Sequence, residues 1–138
     1  MANAFDKYLS SLELNDPASI DEIENAEKTL EVTLPSSYKE FLRTSNGAEG
    51  DIGENFYLML WKVDELAELN EAYGVDEFAE GLLLIGSDGG DIAFGFDKRT
   101  AMMNIIAVPF IGMSLEEVKR AGGDFVDFLK NLYEGAEF

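Results

Sequence analysis

Residues 34–47 read LPSSYKEFLRTSNG, and this stretch decides between two accounts of the chain. Ser36 and Lys39 stand three residues apart, the spacing of a serine nucleophile and its lysine base. The same letters also spell a helix. Pro35 presets a helical torsion, and Ser37 with Glu40 has the spacing of a capping box. Tyr38, Phe41 and Leu42 fall on one face, and Asn46-Gly47 is a stop signal. Serine-lysine acylases require SDN and KTG motifs in addition. Residues 87–89 read SDG, a near miss, and no KTG occurs. The stretch is therefore read as a helix, with Ser36 in its first turn.

Working outward, Ser19 and Glu22 form another capping box, and Ile20, Ile23, Ala26 and Leu30 make an apolar helical stripe behind it. Further upstream, Phe5, Tyr8, Leu9 and Leu12 recur at helical spacing after Asn3 as a cap, and Asp16-Pro17 ends that helix. Downstream, NGAEGDIGEN (46–55) reads as a glycine-rich acidic loop and FYLMLW (56–61) as a strand buried on both faces, with Trp61 a core residue. Val63, Leu66, Ala67 and Tyr73 predict a short helix stopped by Gly74. LLLIG (82–86), DIAFGFD (91–97) and MNIIAV (103–108) predict an antiparallel meander turning at Asp88-Gly89-Gly90 and at DKRT (97–100). Ser114 and Glu117 suggest a third capped helical stretch, interrupted at Gly122-Gly123. Phe125, Phe128, Leu129 and Leu132 then resume a helix. The pattern is that of a single α+β domain, mainly an antiparallel sheet, with helices at the N- and C-terminal ends packed on it.

Composition narrows the chemistry. A chain of 138 residues can close one hydrophobic core without metal or disulfide staples. It has no cysteine and no histidine, so thiolate catalysis, zinc-thiolate sites and histidine-based triads are excluded. The first residues lack the basic start and apolar run of a secretory signal, and no segment reads as a membrane span, which leads us to expect a cytoplasmic protein. Twenty-eight acidic residues against ten basic ones give a net charge of −18. That charge opposes direct binding to nucleic acid or to an anionic membrane and favours a cationic partner. The excess is concentrated: residues 49–91 hold twelve acids and one base, Lys62.

Leu34, Pro35, Tyr38, Phe41, Leu42, Asn46 and Gly47 together resemble the signature LP-x-x-[YF]-x-x-F-L-x-x-x-N-G of the SUKH superfamily, which includes bacterial immunity proteins and fungal regulators of cell-wall glucan synthesis. IGSDGGDIAFGFD (85–97) is similar to the second block of that family, and FVDFLKNL (125–132) to its terminal helix. The resemblance implies a SUKH-like domain over 19–138 behind an N-terminal helical extension, 1–18. It also implies a non-enzymatic module without cofactors. In the bacterial case its partner is a cognate toxin, here basic and nuclease-like.

On that reading the partner-binding carboxylates are Glu49, Asp51 and Glu54 in the glycine-rich loop, Asp88 and Asp91 at the hairpin turn, and Glu65 and Glu68 on one helix face. Two alternatives stand beside it. One is a regulatory scaffold like the fungal relatives. The other is a carboxylate-based metal-binding protein or enzyme, although neither acidic stretch has the D-x-[DN]-x-[DN]-G order of a calcium loop. The sequence leaves the oligomeric state open.

Overall fold

The computed structural model describes residues 6–54 and 56–136. Seven strands form one sheet: β1 (Leu12–Leu14), β2 (Ala48–Ile52), β3 (Phe56–Leu60), β4 (Leu82–Ser87), β5 (Ile92–Asp97), β6 (Ile105–Pro109) and β7 (Lys119–Gly122). Each strand pairs antiparallel with the next in the chain, so spatial order follows sequence order. Helices α1 (Asp6–Leu9), α2 (Ile20–Leu30) and α3 (Ser36–Thr44) precede β2. Helices α4 (Leu66–Ala72) and α5 (Val75–Phe78) fill the β3–β4 connection, and α6 (Phe125–Tyr133) follows β7. This is the α+β domain with a mainly antiparallel sheet that the sequence predicts.

Strand alternation builds the core. Phe94 and Phe96, two residues apart on β5, share a face of the sheet. The Phe96 ring lies 5.2 Å from that of Tyr38 on α3, and the Phe94 ring lies 5.0 Å from that of Phe128 on α6. Phe41 and Phe125 join α3 to α6 at 5.0 Å. All six rings are buried, and on the same face β2 contributes Ala48 and Ile52, and β3 Leu58 and Leu60. The two helices carrying the signature residues and the terminal stripe therefore cover one face of the sheet.

The SSYKEFLRT stretch forms α3. Its N-cap is Pro35, whose carbonyl accepts the Lys39 N–H at 3.0 Å. The capping box expected from Ser37 and Glu40 does not form, because the helix starts at Ser36 and Ser37 already has helical torsions. The Lys39 ammonium pairs with Glu27 of α2 at 3.6 Å. Ser36 and Lys39 thus belong to a helix start, and the box that does form is Ser19 with Glu22. Ile20, expected in the buried stripe of α2, stays exposed.

Four further expectations are corrected. The helix predicted through Leu12 ends at Leu9, and Leu12-Glu13-Leu14 becomes an edge strand paired with β2; Asn3 and Phe5 lie outside the described residues. Within the acidic stretch expected as a loop, residues 48–52 form strand β2, held between β1 and β3 despite a poor intrinsic preference for strand. β3 is buried on one face and partly open on the other, where Tyr57 is exposed. The helix expected after Ser114 is a single 3-10 turn, Leu115–Glu117, without a side-chain cap, and the chain then extends into β7.

Candidate functional site

Residues that pair across an antiparallel ladder share a face. Glu13 of β1 pairs with Glu49 of β2, which pairs with Met59 of β3. In the neighbouring row Asp51 pairs with Tyr57. Glu13, Glu49, Asp51 and Tyr57 are all exposed, so this corner of the sheet turns three carboxylates and a phenol to solvent. Among the described residues none of the three carboxylates has an ion-pair partner.

The Tyr57 hydroxyl donates to the Glu49 carboxylate. That bond, partial desolvation and the negative charges of Glu49, Asp51 and Glu13 push the phenol up to about 12. Tyr57 also meets the next turn. A methyl group on Gly89, whose φ is +80°, would lie 2.9 Å from the Tyr57 ring, so the Asp88–Asp91 turn leans on it. The Asp88 carboxylate accepts the N–H groups of Gly90 at 2.8 Å and Ile92 at 3.2 Å and so closes that turn, while Asp91 is exposed. The Asp88–Asp91 turn thereby borders, through Gly89, the corner formed by Glu13, Glu49, Asp51 and Tyr57.

The other three sequence-predicted site residues lie elsewhere. Glu54 follows β2 in the turn to β3 and lines a separate cavity near Tyr8 and Tyr133. Glu65 sits in a 3-10 turn, Val63–Glu65, where its carboxylate accepts the Lys62 N–H at 3.3 Å. Glu68 is in the first turn of α4. Both follow the Leu60 end of β3, opposite the Tyr57 end. Trp61 is buried, stacked on Tyr73 with ring centroids 5.9 Å apart.

Sequence reasoning missed Glu13 and Tyr57. The alternation Leu12-Glu13-Leu14 was the available signal for the first, but its pairing opposite Glu49 is a matter of register. An open groove of about 880 Å³ runs between the Glu31–Pro35 segment and the Lys98–Met103 turn. Its Arg99 guanidinium is engaged by Asp97 at 2.9 Å, which holds that carboxyl below its ordinary range. Among the described residues no group of three or more carboxylates is arranged to hold a metal ion, and no helix is long and apolar enough to cross a membrane.

Comparison with known proteins adds the family. The chain is 39% identical over 77 residues to the uncharacterized protein YnaB of Bacillus subtilis (strain 168); the match spans 56% of this chain and 49% of that relative's length. The model of the SMI1 / KNR4 family (SUKH-1) matches residues 17–131, from just after β1 into α6. The match takes in the signature helix, the β4–β5 hairpin and most of the aromatic core. The chain thus belongs to the SMI1 / KNR4 family (SUKH-1), at family level a group of protein-interaction modules.

Proposed function

We propose that this chain is a non-enzymatic, cytoplasmic immunity protein that binds and neutralises a basic toxin domain, a nuclease above all. Its binding surface is the acidic corner formed by Glu13, Glu49, Asp51 and Tyr57, with the bordering Asp88–Asp91 turn. The observation that carries this reading is the Glu13–Glu49 pair. Like charges directly opposite each other on neighbouring strands destabilise a sheet. Here that pair is reinforced by Asp51 in the next row and is not neutralised within the described residues. A cationic surface docked on it relieves the repulsion, so binding recovers what the free fold gives up. Nucleases hold phosphates with lysine and arginine, and a row of carboxylates can occupy the same groups. Opposed charges accelerate encounter, while the Tyr57 ring supplies rigid contact area once docked.

The test is capture of the tagged chain's partner from its own cells, followed by co-expression. One basic toxin domain in near-equal amount, surviving moderate salt and no longer inhibiting growth when co-expressed with this chain, is the expected result. In the Glu49→Lys, Asp51→Lys double variant the affinity should fall at least about tenfold and its salt dependence should flatten. Unchanged affinity in that variant removes the acidic corner from the interface. Several weak partners washing away together would indicate a scaffold.

A further inference from the structure

Where α1, the β2–β3 turn and the end of α6 converge, Tyr8 and Tyr133 form an open aromatic corner. Their ring centroids are 5.3 Å apart and their planes meet at 65°. The ammonium of Lys7 lies 5.8 Å from the first centroid and 5.6 Å from the second, within reach of the negative faces of both rings. Beside this corner is a cavity of about 390 Å³, with the exposed carboxylate residues Glu54 and Glu134 among its lining. Glu134 is the C-cap of α6, so the negative end of that helix points the same way. The walls are fixed: a methyl group on Gly53 would fall 2.5 Å from the Tyr133 carbonyl oxygen, which shows how tightly the turn is seated on the helix end.

We infer that this cavity is a binding site for an alkylammonium group, supplied by a lysine side chain of the partner protein. The class of ligand follows from the lining, two aromatic rings and two carboxylates. Lys7 shows that the ring pair accepts such a group, since the chain's own ammonium already lies against it. The cavity is in the size range of ligand sites and larger than one ammonium requires. Lys7 is not among the residues that line the cavity, so its ammonium opposes an incoming lysine by like-charge repulsion across the ring pair, not by filling the site. That the lysine belongs to a toxin rests on the function proposed above; the alkylammonium specificity does not.

The experiment is an NMR titration of the full-length chain with Nα-acetyl-lysine methylamide. The norleucine analogue, which lacks the ammonium, and sodium chloride at equal ionic strength are the controls. Saturable shifts at Ser10, Ser11, Gly53 and Gly135, absent in both controls, are expected. Lys7→Ala should tighten the probe by about threefold, and Tyr133→Leu should weaken it by about the same factor. Glu54→Gln with Glu134→Gln, both at exposed positions, should also weaken it and guards against a folding defect in the tyrosine variant. Shifts that do not saturate in the wild-type and Lys7→Ala chains, or that the norleucine analogue reproduces, overturn the inference and leave the proposed toxin reading standing. Saturable lysine binding by a chain that neutralises no toxin would overturn only the latter.

Discussion

Tyr38 sits at the centre of the core with its hydroxyl buried and no hydrogen-bond partner among the described protein atoms. Burial alone drives its phenol above the usual range. An unpaired buried hydroxyl costs about 1 kcal/mol or more, so Tyr38→Phe should raise stability by about 1 kcal/mol in urea unfolding, with its slope unchanged. Tyr57 is raised for another reason, the carboxylates around it. The folded chain keeps a proton that the unfolded chain releases near 10, so this stabilisation is complete below about pH 10. It is lost as pH rises from there through about 12. Tyr57→Phe should remove one late step from the tyrosinate absorbance titration and extend stability to higher pH. Single residues differ in how much of their role is visible in sequence. Asn46-Gly47 reads as a helix stop, yet the Asn46 side chain also accepts the Val63 N–H at 2.7 Å and donates to Asp64 at 3.1 Å. Those bonds cross to a segment seventeen and eighteen residues away, and no local pattern announces them.

At the level of elements, the β3–β4 connection shows how a sheet edge is finished by a side chain. β3 pairs with β4 at Met59 and Leu60, after which the chain turns away toward α4. Asn70 of α4 takes over beside Leu84. Its carbonyl accepts the Leu84 N–H at 2.8 Å, and its amide donates to the Leu84 carbonyl at 2.9 Å. One side chain thus stands in for a missing strand residue. Asn70→Ala leaves both backbone groups unpaired and should lower stability by about 2 kcal/mol, with Asn70→Asp, which can still accept but not donate, falling between. The central meander was legible because β4, β5 and β6 are predominantly apolar and their turns carry explicit glycine and aspartate signals. β1, β2 and β7 were not. AEGDI and KRAG have little strand preference of their own and are extended because a neighbour pairs with them. Capping boxes misled twice, at Ser37 and Ser114, because an acid-rich chain places glutamate three residues after serine without a cap. The candidate surface was legible in kind, acidic and central in the chain, but its membership depended on register. Pairing added Glu13 and Tyr57, and the end-to-end separation of β3 left Glu65 and Glu68 aside.

Over the whole molecule, a net charge of −18 creates a field that reaches well beyond any contact residue. Association with a basic partner should therefore slow steeply as salt rises, by about tenfold or more between low and moderate ionic strength, with much less change in dissociation. Stopped-flow rates at several salt concentrations check this, and a flat association rate would mean that the charge serves solubility alone. Charge and core are also separated within single strands. On β2, Ala48 and Ile52 pack against the helix-covered core, whereas Glu49 and Asp51 between them face solvent. The same few residues thus carry two independent messages, one at even positions that specifies the fold and one at odd positions that specifies the surface. Substitutions at the odd positions can change the charge of that surface while the aromatic core stays untouched, so the exposed face is free to diversify on an unchanged scaffold.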